Sequence, residues 1–225
     1  MLEKENSKKN SKIKKDKENL IAKIIYRPLS EPIAIFLSRF NITPNQVTCL
    51  SIFFSVFSGA LFSFGVWKYS LLGSLLLQIT VLTDHVDGNL ARFTNQSSRF
   101  GEFWDDMANK LIKFFVLLGM SFGAYRQTGE PMILFFGSIA IFNITYSSFL
   151  VSFIHNLKKE LGITESLSIM PGKKGSIFPA SLTIYAVITF GGLTNLLWFP
   201  ILFLTTFVII WIKQILNAKK AFKNF

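Results

Sequence analysis

The chain has 225 residues, of which 50% are hydrophobic and only 16% are charged. A soluble domain carries about 25% charged residues, so this composition argues against a soluble protein and predicts an integral membrane protein. The apolar segments described below make the predicted fold all-α. The formal net charge is +11, but most of it lies at the chain ends and in short loops between apolar segments. We therefore expect no nucleic-acid partner and attribute the charge to contact with the anionic headgroups of a lipid bilayer.

The first part of the chain is basic and then amphipathic. Residues 1–19 contain seven Lys and no apolar run, which predicts a disordered cytoplasmic tail. Residues 20–42 carry four apolar positions at i, i+3, i+4 and i+7 that form one stripe on a helix: Ile33, Phe36, Leu37 and Phe40. Because Arg27 and Arg39 flank this stripe, we expect a juxtamembrane helix that lies in the membrane interface rather than an additional span.

Six apolar segments follow, each close to the roughly 20 residues that a membrane-spanning helix needs: about 44–67, 70–92, 101–124, 132–155, 176–193 and 195–216. Thr43 and Pro44 are predicted to cap and begin the first of these helices. Basic residues concentrate in the two chain ends and in alternate loops. The positive-inside rule therefore places both termini in the cytoplasm of a multi-pass cell-membrane protein, and we treat 43–225 as one six-helix domain.

One stretch concentrates acidic residues between apolar segments. It reads DHVDGNLARFTNQSSRFGEFWDD over residues 84–106 and contains five of the 13 acidic residues. Asp84 and Asp87 share a helix face because they are three residues apart, and Asp105 lies one turn into the next segment, so we expect the three carboxylates to converge. Unpaired carboxylates near a membrane interior are very costly, and hard cations such as Mg²⁺ or Mn²⁺ remove that cost.

Small residues accompany these carboxylates. Gly88 and Ala91 leave room for a phosphate-bearing ligand, and Gly101 is expected at a close contact between helices. The spacing of DHVDGNLAR, eight residues and GEFWD resembles the signature of the CDP-alcohol phosphotransferase (CDP-alcohol phosphatidyltransferase) family, Asp-x-x-Asp-Gly-x-x-Ala-Arg followed by Gly-x-x-x-Asp-x-x-x-Asp. Seven positions match: Asp84, Asp87, Gly88, Ala91, Arg92, Gly101 and Asp105. The segments RPLS and TPNQVT are also similar to this family, so the resemblance covers about residues 24–216.

The resemblance implies an activity and a set of residue roles. Members of this family move a substituted phosphate from a CDP-alcohol donor to a hydroxyl acceptor at a two-metal site near the cytoplasmic face, release CMP, and usually form homodimers. By this resemblance Asp84, Asp87 and Asp105 are ligands of Mg²⁺ or Mn²⁺. The residues implied to border the CDP group are Asp84, Asp87, Gly88, Ala91, Arg92 and Gly101.

The implied setting is phospholipid or polyol-phosphate biosynthesis. The donor is CDP-diacylglycerol or a soluble CDP-alcohol such as CDP-inositol, and the acceptor is a polyol phosphate, inositol or its phosphate, or serine. The motif distinguishes none of these, because it contacts only the part that all such donors share.

The chain departs from the signature at its last acidic position, usually assigned as the catalytic base, which falls on Asn109. An amide cannot accept a proton, and Lys113 adds a positive charge one turn further on. Asp106 and Glu102 are candidate substitute bases, although Asp106 with Lys110 also fits an ordinary i,i+4 ion pair. Two alternatives therefore accompany the active enzyme: a weak or inactive family member that still binds CDP and metal, and another membrane protein such as a prenyltransferase-type enzyme.

Two further polar features carry weaker patterns. Lys173 and Lys174, in IMPGKKGS, are candidates for binding an acceptor phosphate or lipid headgroup, and they equally fit a pair that only sets topology. His85 lies inside the motif but about 100° around the helix from Asp84, so a packing or interfacial role is expected.

Overall fold

The computed structural model describes the backbone of residues 26–160 and 180–205, and the side chains of 26–146 and 184–205. Within these ranges the chain forms seven helices and no strand, which confirms the all-α prediction for this part of the molecule: α1 Arg27–Ser38, α2 Pro44–Ser63, α3 Trp67–Phe93, α4 Arg99–Thr128, α5 Met132–Glu160, α6 Ala180–Leu193 and α7 Trp198–Thr205. The basic tail, Lys173 and Lys174, and residues 206–225 lie outside the described residues.

Each of the six predicted apolar segments overlaps one of the helices α2 to α7. Two described helices, α2 and α4, are long and apolar enough to cross a membrane by length and composition. Shorter apolar stretches occupy Met132–Tyr146 in α5 and Ile184–Leu193 in α6. The positions of the helices thus agree with the sequence, while the count of six spans stays a prediction.

Helices α2 and α4 both begin directly after a capping residue. Thr43 accepts a hydrogen bond from the backbone N–H of Gln46, whose side chain accepts one in return from the N–H of Thr43. With Pro44 at the first helical position, this capping box fixes the start of α2, as predicted. Ser98 caps α4 by accepting from the N–H of Gly101 at 3.0 Å. The starts of α2 and α4 are therefore fixed by the residues next to them in the sequence.

Helix α2 packs along both α3 and α4. The contact with α4 is very close, because a Cβ added at Gly119 would collide with the backbone of Gly59, and one added at Gly123 would collide with the carbonyl of Phe62. The structure does not show the close helix contact that the sequence predicts at Gly101. A Cβ at Gly101 would meet only side-chain atoms, of Ser98 at 3.2 Å and of Asn45 at 3.8 Å. Small residues thus bring helices together further along α4.

The main apolar core fills the space between α2 and the later helices. It contains large side chains that are almost fully buried, among them Phe62, Leu77, Leu117, Ile188 and Ile201. Because residues from α2, α3, α4, α6 and α7 contribute, this core fixes the relative positions of the helices that carry the acidic region.

Helix α1 forms where the sequence predicts a juxtamembrane helix. Ala34 is buried and Leu37 partly buried in a small cluster with apolar side chains of α2 and α3. Ile33, Phe36 and Phe40 are exposed, with 38%, 57% and 60% of their surface accessible. The predicted stripe is therefore divided, since Leu37 packs on the protein while the other three side chains point outward.

Candidate active site

The three predicted carboxylates come together. Asp84 and Asp87 lie one turn apart near the end of α3, and Asp105 lies in the second turn of α4. One oxygen of each lies within 4.8 Å of the others, and Asp87 is only 3% exposed. Since α2 packs along both helices, α2 holds the two acidic segments in register. The convergence expected from the sequence is present in the structure.

Asn109 joins the two acidic helices at this cluster. Its side-chain amide nitrogen lies 3.1 Å from Oδ1 of Asp84 and 3.1 Å from Oδ1 of Asp105, and it donates to these carboxylates. Its amide oxygen accepts from the hydroxyl of Tyr185 in α6, at 3.4 Å. The residue at the family's base position therefore acts here as a hydrogen-bond donor that spans the carboxylate pair.

Lys113 places a positive charge beside the same cluster. It is buried, with 7% of its surface exposed, and its ammonium interacts electrostatically with Asp84. The Nζ atom also lies 5.8 Å from the ring centroid of Tyr185, within range of a cation–π contact. A cation in this position offsets part of the negative charge of the aspartates.

The candidate substitute bases are placed differently from the three aspartates. Asp106 forms an ion pair with Lys110 at 2.6 Å, which is the ordinary i,i+4 pair considered from the sequence. Asp106 does not line the pocket described below, whereas Glu102 does.

His85 directs Nδ1 at the carbonyl of Val81, 2.8 Å away, and stacks on Tyr26 with a centroid distance of 4.7 Å, in agreement with the packing role predicted for it.

A pocket of about 200 Å³ opens beside the carboxylates. Its walls come from the first turns of α2, the end of α3, the connection to α4 and the first turns of α4: Pro44, Asn45, Thr48, Asp87, Gly88, Ala91, Arg92, Gln96, Ser97, Ser98, Gly101, Glu102 and Asp105. A Cβ added at Gly88 would meet nothing within 4 Å. The room that the sequence predicted around Gly88 and Ala91 is therefore present.

Helix α2 supplies a wall of the pocket that sequence reasoning missed. The hydroxyl of Thr48 donates to Oδ2 of Asp87 at 2.6 Å, and both residues are buried. Asn45 and Pro44 line the pocket beside Thr48. The only available signal was the segment TPNQVT, which marked a helix start and the family resemblance but pointed to no partner in α3.

The donor set fits a hard divalent cation. Carboxylate oxygens are the ligands that Mg²⁺ and Mn²⁺ prefer, and three of them converge here. Hydrogen bonds orient all three carboxylates, Asp87 through Thr48 and the other two through Asn109, as partners of metal ligands commonly do. The cluster formed by Asp84, Asp87 and Asp105 can therefore hold a metal ion.

Over the residues that the structure describes, the chain is all-helical and rich in apolar helices, with an acidic pocket between α2, α3 and α4 that can hold a metal ion. Residues 41–217 match the family model described as CDP-alcohol phosphatidyltransferase, and the chain belongs to this family. The family predicted from the signature is thereby confirmed, and members of this family are transferases.

Curated relatives with different names share parts of this sequence. An uncharacterized protein of Aquifex aeolicus is 31% identical over 54% of this chain and 62% of its own length. The archaetidylinositol phosphate synthase of Pyrococcus horikoshii is 27% identical over 70% of this chain and 78% of its own length. The phosphatidylinositol phosphate synthase of Streptomyces avermitilis is 31% identical over 41% of this chain and 37% of its own length. The chain therefore spans less than two thirds of two of these relatives.

Solved structures share the fold. The phosphatidylinositol phosphate synthase of Mycobacterium tuberculosis with CDP-DAG bound has a TM-score of 0.66 and 20% identity, covering 84% of this chain and 93% of that chain. The same enzyme in complex with manganese and citrate has a TM-score of 0.55 and 22% identity, covering 84% and 88%. At these identities the likeness supports the common architecture.

Proposed function

We propose that this protein is a membrane phosphotransferase that moves a substituted phosphate from a CDP-alcohol donor to a hydroxyl acceptor and releases CMP. The observation that carries this proposal is the convergence of Asp84, Asp87 and Asp105 at a pocket in a chain of the CDP-alcohol phosphatidyltransferase family. The setting is phospholipid or polyol-phosphate biosynthesis.

Asp84, Asp87 and Asp105 are the proposed ligands of Mg²⁺ or Mn²⁺, in the two-metal arrangement that the family resemblance implies. Bound divalent ions neutralise a diphosphate and stabilise the negative charge on the departing phosphate. The M. tuberculosis relative with manganese bound supports such ions. Lys113 adds positive charge on the Asp84 side, where burial keeps water from screening it.

The pocket is proposed to bind the part that all CDP-alcohols share. Gly88, Ala91 and Gly101 let the CDP group approach the backbones of α3 and α4, and Arg92 offers its guanidinium to phosphate oxygens. These residues line one continuous surface with Asp87 and Asp105. A diphosphate in the pocket would thus lie between the guanidinium and the carboxylate cluster.

The proposed donor is CDP-diacylglycerol and the proposed acceptor an inositol phosphate. The M. tuberculosis structure has CDP-DAG bound, and the named relatives are synthases of inositol phosphate lipids. Another relative is a CDP-diacylglycerol–serine O-phosphatidyltransferase from Helicobacter pylori, so serine and inositol belong in the same test, as does CDP-inositol as a soluble donor. Lys173 and Lys174 stay proposed contacts for the acceptor phosphate.

The proposed topology has six spans behind the interfacial helix α1, with both termini in the cytoplasm and the protein in the cell membrane as a homodimer. The tail 1–19, the juxtamembrane region 20–42 and the domain 43–225 are its proposed divisions. Large apolar side chains on the outer faces of the helices support contact with lipid, for example Phe53, Leu72, Leu75, Phe122, Phe135 and Phe142.

The proposed activity is tested by CMP release from donor-loaded vesicles that contain the purified chain and Mn²⁺. CMP is expected to form only when both a CDP-alcohol and its acceptor are present, because transfer rather than hydrolysis is the proposed reaction. A panel of CDP-diacylglycerol and CDP-inositol with inositol phosphate, inositol and serine identifies the pair. Failure to bind CDP in the presence of Mn²⁺ would contradict both this function and the weak or inactive alternative.

Two variants decide how the acceptor loses its proton. The alternative of a weak or inactive member is correct if the wild-type chain releases no CMP and Asn109→Asp gains turnover. If the wild type is active and Asp106→Ala abolishes turnover, Asp106 is the substitute base. Lys110→Ala is the matched control, since it breaks the same ion pair but leaves the Asp106 carboxylate in place. The relatives named as synthases favour an active enzyme.

Thr48→Val is expected to weaken Mn²⁺ affinity by about 10-fold, because partners that orient a metal ligand contribute about 10- to 100-fold. Valine keeps the shape of threonine but removes the hydroxyl that donates to Asp87. Mn²⁺ titration followed by electron paramagnetic resonance measures the change. Thr80→Val is the control, since Thr80 is equally buried and its hydroxyl bonds only to the carbonyl of Leu76. Equal affinities for the two variants would refute the role of Thr48.

A further inference from the structure

A buried chain of hydrogen bonds connects α1 to the pocket. The side-chain nitrogen of Asn89, in α3, donates to the hydroxyl of Ser30, in α1, at 2.8 Å. The side-chain oxygen of Asn89 accepts from Nη2 of Arg92 at 2.5 Å. Ser30 is 0% exposed and Asn89 is 5% exposed, while Arg92 reaches the pocket wall. A polar link thus runs from the core of the α1–α3 contact to the pocket.

The chemistry of the three side chains fixes the direction of this link. Arg92 has only donors, so it needs the oxygen of Asn89 rather than its nitrogen. The amide nitrogen of Asn89 must then find an acceptor within the buried contact between α1 and α3, because a buried amide without a partner is costly. Ser30 provides that acceptor, since its own proton is directed at the carbonyl of Arg27, 3.5 Å away. Removing Ser30 would leave the amide free to turn its nitrogen toward Arg92.

Arg92 is exposed, and an arginine on a helix surface normally samples many rotamers. The bond to Asn89 restricts that sampling while the guanidinium stays at the pocket. A group that is already ordered loses less freedom when its ligand arrives, and binding is tighter as a result. Asn89 occupies an unspecified position of the family signature, so the resemblance assigns it no role.

We propose that Asn89, anchored by Ser30 of α1, is a positioning residue that holds Arg92 ready for the phosphates of the nucleotide. This inference rests on the proposed function, which puts the CDP group in this pocket. It also gives α1 a part in the site, because Ser30, the first residue of this chain of hydrogen bonds, lies in α1.

The test measures CDP affinity by calorimetry with Mn²⁺ on the purified full chain. Asn89→Leu removes both hydrogen bonds at nearly constant volume. It is expected to weaken CDP binding by up to about 10-fold, the cost of ordering one long side chain when the ligand binds. Asn89→Asp is expected to restore affinity to within about 3-fold, since a carboxylate accepts from Arg92 and from the Ser30 hydroxyl. The CDP affinity of Ser30→Ala is expected to lie between those of these two variants.

Two controls separate positioning of Arg92 from general docking of α1. Tyr26→Phe removes another hydrogen bond between this region and α3, from Tyr26 to Gln78 at 2.8 Å, without any connection to Arg92, and CDP affinity should not change. In an Arg92→Ala background, Asn89→Leu should not lower the CDP affinity further. The proposal is overturned if Asn89→Leu weakens CDP binding as much in the Arg92→Ala background as in the wild type. It is also overturned if Tyr26→Phe weakens CDP binding as much as Ser30→Ala does.

The order of the Arg92 side chain, measured by NMR on arginine-labelled protein, gives a readout without nucleotide. Asn89→Leu should make the guanidinium mobile, and Asn89→Asp should keep it ordered. If the wild type bound no CDP, the proposed function would fail, and this measurement would still decide whether Asn89 holds Arg92. An Arg92 side chain equally mobile in the wild type and in Asn89→Leu would refute the positioning role.

Discussion

Asp87→Asn is expected to abolish Mn²⁺ binding and, with it, CMP release. Loss of a hydrogen-bond partner behind a metal ligand costs about 10- to 100-fold in affinity, and loss of the ligand's charge should cost more than that. Asp87 is 3% exposed and converges with Asp84 and Asp105, so water cannot readily replace it. The asparagine keeps the shape of the side chain and an oxygen that can still accept from Thr48.

A thermal unfolding series distinguishes lost binding from lost folding. Three carboxylates repel one another when no cation is bound, so without metal the Asp87→Asn variant should be as stable as the wild type or more stable. Mn²⁺ should raise the unfolding temperature of the wild type, because ligands that bind only the folded state stabilise it, and should leave the variant unchanged. Glu102→Gln is the matched control, since Glu102 is an exposed acid in the same pocket. Equal Mn²⁺ responses of the two variants would contradict the metal site.

The features predicted from the sequence are those that depend on neighbours within one helix turn or on a fixed spacing. The start of α2 at Thr43 follows from a cap and a proline. The shared face of Asp84 and Asp87 follows from their spacing of three residues. Asp105 joins them because only residues 94–98 separate α3 from α4, which leaves little freedom in where the second helix begins.

The features that were missed depend on the register between helices distant in the chain. Thr48 and Asp87 are 39 residues apart, and Ser30 and Asn89 are 59 apart. Hydropathy assigns all four to helices but does not say which residues of two helices face each other. The same limit explains the error at Gly101, because a small residue permits close packing without specifying which neighbour supplies it.

The division of the α1 stripe has a similar cause. Helical periodicity groups Ile33, Phe36, Leu37 and Phe40 on one side, but it cannot separate the part of that side that meets protein from the part that meets the surroundings. Leu37 packs against the small cluster around Ala34, so it points inward. Only the positions of α2 and α3 reveal this boundary.

Gly119→Ala is expected to destabilise the fold by about 3 kcal/mol or more, at the upper end of what overpacking usually costs. The added Cβ would collide with the backbone of Gly59, including its carbonyl oxygen, and a backbone atom cannot rotate away as a side chain can. Helices α2 and α4 would have to separate, and this separation would also disturb the helix that holds the acidic segments of α3 and α4 together. The measurement is the midpoint of thermal unfolding in detergent.

The matched control is the same substitution at Gly88, where the added Cβ meets nothing within 4 Å. Alanine favours a helix over glycine by about 1 kcal/mol, so Gly88→Ala should unfold at the same or a higher temperature than the wild type. It should nevertheless weaken CDP binding, because Gly88 lines the pocket and the new methyl group occupies space proposed for the ligand. One methyl group is thus expected to damage folding at Gly119 and binding at Gly88. If Gly119→Ala unfolded like the wild type, the close α2–α4 contact would be refuted, and if Gly88→Ala bound CDP normally, the pocket would not be the nucleotide site.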